Sequence, residues 1–163
     1  MRRREFLGAW GGAAVLTPFA ARAQQAAMPV VGFLSSRWRE TTDTLYISAV
    51  QEGLKQFGYI DGQNIAIESR WAEGHNDRLP ALALDLVNRA VSIIVGNSVT
   101  AEAAKAATAT IPILFVAGND PVERGLVASL NRPGGNVTGV FHFTNDLDPK
   151  RLGLLRELIP TAS

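Results

Sequence analysis

The chain has 163 residues, 47% of them hydrophobic, with 16 basic and 15 acidic side chains, two histidines and no cysteine. Without cysteine there are no disulfides, thiolate metal sites, cysteine nucleophiles or thiol-linked lipid anchors. The near-balance of charge leaves no electrostatic footprint for a phosphate backbone or an anionic membrane, so no nucleic-acid partner is expected.

The first residues read as an export signal. Arg2, Arg3 and Arg4 form a cationic start, Phe6 to Ala20 is small, apolar and uncharged, and Ala21-Arg22-Ala23 is an A-x-A cleavage site. Within it, Arg3-Arg4-Glu5-Phe6-Leu7 resembles the twin-arginine motif. A membrane span needs about 20 consecutive apolar residues, whereas Gly8, Gly11, Gly12, Thr17 and Pro18 interrupt this stretch. Cleavage after Ala23, with no stable membrane insertion, is therefore the expectation. It removes four basic residues and one acidic, leaving 12 and 14 in about 140 residues, the size of one domain.

From Met28 onward, short β-branched runs alternate with longer helical stretches. Pro29 to Ser36 reads as a buried strand. Thr42 to Phe57 reads as a helix, with Leu45, Ala49 and Leu54 at helical spacing, Ile47 and Val50 beside them, and Gly58 where a C-cap is wanted. Asn64 to Trp71 alternates like an edge strand after an Asp61-Gly62 turn, with Trp71 sharing the parity of Ile65 and Ile67. A second helix opens at Asn76-Asp77, with Pro80 in its first turn, and runs through Leu82, Leu86 and Val87.

Val91 to Gly96 is a third strand, followed by an alanine-rich helix capped by Ser98 or Thr100. Ile111 to Gly118 is a fourth strand. Asp120-Pro121-Val122-Glu123 has the acid, proline and glutamate of a helix start. After the Arg132 to Asn136 turn comes a fifth strand, Asn136 to Phe143, and an amphipathic helix from Pro149 to Ile159. Five alternations of strand and helix predict an α/β fold: a three-layer αβα sandwich on a parallel sheet, in the order 2-1-3-4-5.

In an open parallel sheet, ligands bind beyond the carboxyl ends of the strands. Here those ends carry Ser35 and Ser36, Asn97 and Ser98, and Asn119 and Asp120, short hydrogen-bonding groups suited to a small polar molecule. Asp120 and Ser98 have a plainer role available as helix caps and Ser35 and Ser36 as the opening of the first loop, while Asp120 would be the natural partner of a ligand ammonium. Trp38 either packs beneath the first loop or faces a ligand. No cofactor is expected. There is no G-x-G-x-x-G after the first strand and no P-loop, and Gly134 and Gly135 precede a strand, not a helix. There is no G-x-S-x-G elbow, and His75 and His142 are isolated from one another, so the residues do not point to an enzyme.

The leader, MPVVGFLSS, EGLKQFGYIDGQNIAIESRWAEG, DRLPALALDLV, IPILFVAGNDPVERGLVASLNRPGGNVTGV and PKRLGLLRELIPTAS together resemble ABC transporter substrate-binding proteins of the type I periplasmic binding fold. The likeness is to the branch related to tryptophan- and tyrosine-binding lipoproteins. It implies a non-enzymatic periplasmic protein that carries a small solute, such as an amino acid, to a membrane permease and ATPase. It also implies two αβα lobes joined by a hinge. On that basis residues 28–140 are the N-terminal lobe, and 141–163 are a hinge crossing and the first helix of a second lobe. A ligand-sensing domain of a receptor or regulator is the alternative use of the same fold.

Overall fold

The computed structural model describes residues 28–39, 43–142 and 144–159. The expected leader and cleavage site lie outside these residues. Five strands, β1 (Val30–Ser35), β2 (Ala66–Trp71), β3 (Ile93–Asn97), β4 (Ile113–Ala117) and β5 (Val137–Phe141), form one sheet in the order β2-β1-β3-β4-β5. Every neighbouring pair is parallel, as the alternation with helices requires. The helices are α1 (Asp43–Gln56), α2 (Leu79–Asn88), α3 (Ser98–Ala107) and α4 (Thr144–Leu158).

Strand parity divides the core in two. Leu34, Ile94, Ile113, Phe115 and Val137 point to one face, where Leu79, Ala83 and Leu86 of α2 and Ala101 and Ala104 of α3 cover them. Val31, Phe33 and Val95 point to the other, under Ile47, Val50 and Leu54 of α1. Each fully buried Leu or Ile contributes about 1.5–3 kcal/mol. The α2/α3 face holds Leu34, Leu79, Leu86, Ile94 and Ile113 fully buried, whereas the apolar side chains of α1 are only partly covered. The α1 layer is accordingly the more weakly held.

Several expectations shift in detail. The buried stripe of α1 is Ile47, Val50 and Leu54, while Leu45 and Ala49 face solvent. At about 100° per residue the latter two lie on the opposite side of the helix. Gly58 does end the helix, with φ +82° and its N–H donating to the Lys55 carbonyl. Asn76 and Asp77 do not cap α2; they form a single 3₁₀ turn, Asn76–Arg78, that feeds it without a side-chain cap.

The cap of α3 is Asn97, not Ser98 or Thr100: its Oδ1 accepts from the Thr100 N–H at 3.1 Å. The Asp120 start yields one turn and no helix. Gly125 leaves it in the left-handed conformation at φ +66°, and Lys105 of α3 donates to the Gly125 and Leu126 carbonyls at 2.6 and 3.2 Å, using acceptors a continuing helix would need. Helix α4 begins at Thr144 and runs through Pro149. Trp71 packs as its parity implied, 5.5 Å from the Phe33 ring, but Trp38 is 56% exposed and does not pack beneath its loop.

Two surfaces lack a covering layer. Every side chain from Leu147 to Ile159 is exposed, Leu158 at 80%. On the α1 face, Val116 and Val140 of β4 and β5 are also exposed. A 2-1-3-4-5 order sends all the crossovers after β2 over the other face, so among the described residues α1 is the helix that covers this one.

The edge strand β2 is tied to α2 by charge. The Arg70 guanidinium meets Asp85 at 2.6 Å and Glu68 at 3.2 Å, and Arg89 meets Glu68 at 3.1 Å and Asp85 at 3.3 Å. Charged side chains on an edge strand also discourage pairing with other chains. The hydrogen bond from Arg70, and then the positive charges of Arg70 and Arg89, hold the Asp85 carboxyl below its ordinary value of 3.8. A carboxyl lowered on folding adds stability above its unfolded value, and that stability is lost as pH falls through the folded one. Asp85→Asn should therefore be less stable than wild type near neutrality. Urea unfolding midpoints of the two proteins should converge as pH falls below about 4, and a constant gap would contradict the linkage.

The junction of β3 and α3 gives a second prediction. A Cβ on Gly96 would land on the Thr100 hydroxyl and crowd the Leu34 carbonyl. Overpacking of this kind costs about 1–3 kcal/mol, so Gly96→Ala should lower the unfolding free energy obtained from urea titration by that amount. Adding Thr100→Ala should cost less than the sum of the single changes; strict additivity would exclude the contact.

Candidate functional site

A hollow of about 430 Å³ opens at the carboxyl ends of β1, β3 and β4, on the side of α1. Its floor is the alternate residues Phe33, Val95 and Val116, and Tyr46 and Val50 of α1 form a wall. An apolar floor beneath a polar rim is the usual composition of a small-ligand site.

Of the six strand-end residues singled out from the sequence, Ser35, Asn97, Ser98 and Asn119 line this hollow, while Ser36 and Asp120 do not. Parallel pairing puts these ends in register, with Leu34 opposite Gly96 and Asn97 opposite Val116. Ser35 is buried, and its Oγ accepts from the Arg37 N–H at 3.0 Å. Asn97 is engaged at both ends of its amide: besides capping α3, its Nδ2 donates to the Ser36 Oγ at 3.2 Å, joining the first loop to β3. Ser36 therefore lies outside the lining and is joined to it through Asn97.

Ser98, 7% exposed, and the exposed Asn119 make no side-chain hydrogen bond among the described residues, leaving both groups available to a ligand. Asp120 turns away: its Oδ1 accepts from the Val122 and Glu123 N–H groups at 2.7 and 3.4 Å.

Three basic residues join the lining that strand-end reasoning missed: Arg37, Arg124 and His142. The guanidinium carbon of Arg37 lies 6.0 Å from the Tyr46 ring centroid, within cation–π range. Arg124 Nε donates to Glu102 Oε1 at 2.7 Å. His142 follows β5, its N–H donating to the Ala117 carbonyl at 2.8 Å. No Asp or Glu lines the hollow among the described residues. The start of α3 at Ser98 adds the positive end of a helix dipole. The site is electropositive although the chain as a whole is nearly neutral. Arg37 is visible in the sequence beside Ser35 and Ser36, but nothing local distinguishes it from a solvated loop arginine.

Among the described residues no group of three His, Asp or Glu side chains is placed to hold a metal ion, and no helix is long and apolar enough to cross a membrane.

Comparison with known proteins fits this geometry. The family model described as ABC transporter substrate binding protein matches residues 41–163. A tyrosine-binding protein of Clostridioides difficile is 39% identical over 112 residues, covering 68% of this chain and 32% of that protein. A conserved domain protein from Vibrio cholerae superposes with a TM-score of 0.73 at 30% identity, over 82% of this chain and 45% of that one. The ABC domain in complex with L-Trp from Streptococcus pneumonia gives 0.63 at 30% identity, over 69% and 38%. The chain thus spans less than half the length of each of these relatives. With the family matched over most of its residues, the chain belongs to the ABC transporter substrate binding proteins.

Proposed function

We propose that the hollow at the strand ends is one wall of the solute cleft of an ABC importer's binding protein, and that the small polar solute is an amino acid. The observation that carries this reading is the meeting of available Ser98 and Asn119 groups with an apolar floor, in a chain whose relatives include a tyrosine-binding protein and a domain complexed with L-Trp. In this reading the protein is exported to the periplasm by its twin-arginine leader, is cut after Ala23, hands its solute to a permease and an ATPase, and performs no chemistry.

The opposing wall would come from a second lobe, with residues 141–163 as the first crossing and the first helix toward it. The exposed apolar residues Leu152, Leu155 and Leu158 of α4, with Ile159 just after it, support that assignment, because an amphipathic helix needs a surface to cover. Closure of two lobes supplies the remaining contacts and excludes water. Losing half the contacts of a micromolar ligand leaves roughly millimolar affinity.

Titration of the 163-residue chain with L-tyrosine or L-tryptophan, followed by amide NMR, should move Ser35, Asn97, Ser98 and Asn119 at about millimolar concentrations. Shifts confined to the opposite ends of the strands, around Val30 and Ala66, would refute the site, and sub-micromolar binding would refute the single-wall reading. By hydrogen exchange, amides from Leu152 to Ile159 should exchange far faster than those of β1 and β3. Equal protection would mean that α4 is packed in solution and is not awaiting another lobe.

A further inference from the structure

We propose that Arg124, held in place by Glu102, receives the carboxylate of the bound solute and makes the cleft select carboxylate-bearing molecules over amines. This deepens the amino-acid reading above and rests on it.

Among the three basic residues lining the hollow, Arg124 is the one whose head group is fixed by a carboxylate, through the 2.7 Å bond from its Nε to Glu102. That bond uses one edge of the guanidinium. The terminal Nη groups find no acceptor among the described residues, leaving a planar pair of donors, the geometry that suits a carboxylate.

The backbone beneath Arg124 is fixed as well. Its N–H donates to the Asp120 carbonyl at 3.2 Å, Pro121 is fully buried, and Lys105 holds the next two carbonyls, those of Gly125 and Leu126. Glu102 and Lys105 stand three residues apart on α3, so one helix positions both the turn and the guanidinium it carries. The same helix opens on the hollow at Ser98, where its dipole favours negative charge.

Among the described residues the lining offers a ligand ammonium no acid, and Asp120 is occupied in its own turn. Arg37 lies over the Tyr46 ring, and no carboxylate fixes its head group among the described residues. Glu102 is thus a positioning residue, and Arg124 the specificity residue.

The probes are L-tryptophan, tryptamine, which lacks the carboxylate, and indole-3-propionate, which lacks the ammonium, each titrated into the full chain while the Arg124 Nε–Hε resonance is followed by NMR. L-Tryptophan and indole-3-propionate should move that resonance and tryptamine should not. Arg124→Gln should weaken L-tryptophan by about tenfold or more, the loss expected for one charge-assisted hydrogen bond, and leave tryptamine unchanged. Glu102→Gln should narrow the tryptophan-to-tryptamine ratio by a smaller factor with dispersed amide spectra retained, and Arg124→Lys should restore part of the loss.

Tryptamine binding as tightly as L-tryptophan, or an Arg124→Gln variant that keeps wild-type affinity for L-tryptophan, overturns the assignment and leaves the amino-acid reading standing. Binding of indole-3-propionate at Arg124 without binding of L-tryptophan supports the assignment and overturns the amino-acid reading. No response of Arg124 to either carboxylate overturns the assignment.

Discussion

The close approach of α3 to β3 at Gly96 is the constraint on which the rest of the site depends. The Thr100 hydroxyl, 1% exposed, donates to the Asn97 carbonyl and occupies the space a side chain at position 96 would take. Asn97 then caps the helix with one end of its amide and grips Ser36 with the other. Three neighbouring residues thereby set the direction of α3, the start of its dipole and the path of the first loop. Two of them, Asn97 and Thr100, are polar groups in a partly buried place, where leaving either without a partner would cost about 1–3 kcal/mol.

From that junction α3 reaches the other side of the hollow. Glu102 and Lys105 fix the turn after β4, and Pro121, Leu126 and Val127 seal it against the core. The result is a positive rim over an apolar floor. Long-range charge contributes little in a chain so nearly neutral; the positive character of the rim is local, contributed by guanidinium groups that the fold brings to the hollow.

The two faces of the sheet are unequally finished. The α2/α3 face is closed over β1, β3 and β4 by buried Leu, Ile, Phe and Ala, whereas the α1 face is covered over β1 and β3 and bare at Val116 and Val140. The hollow sits where cover gives way to bare sheet, with Val116 in its floor. A ligand site at the boundary of a layer is where groups from several elements can meet without being buried by any of them.

Read alone, the amino-acid order determined the alternation of elements, the parallel sheet and the 2-1-3-4-5 order, because strand and helix periods are local properties and right-handed crossovers leave few arrangements open. It also located the strand ends, and four of the six residues taken from them, Ser35, Asn97, Ser98 and Asn119, do line the hollow. Tertiary structure alone decided the rest. Asn97 became the cap and Thr100 the buried partner because β3 runs one residue further than its apolar run. Asp120 was spent on its own turn. Arg124, in a segment whose pattern reads as a helix, became part of the rim because Gly125 and Lys105 stopped that helix after one turn. Side chains from α1, α3 and the β4–β5 connection converge across more than 70 positions of sequence, and no local period records which of them will meet.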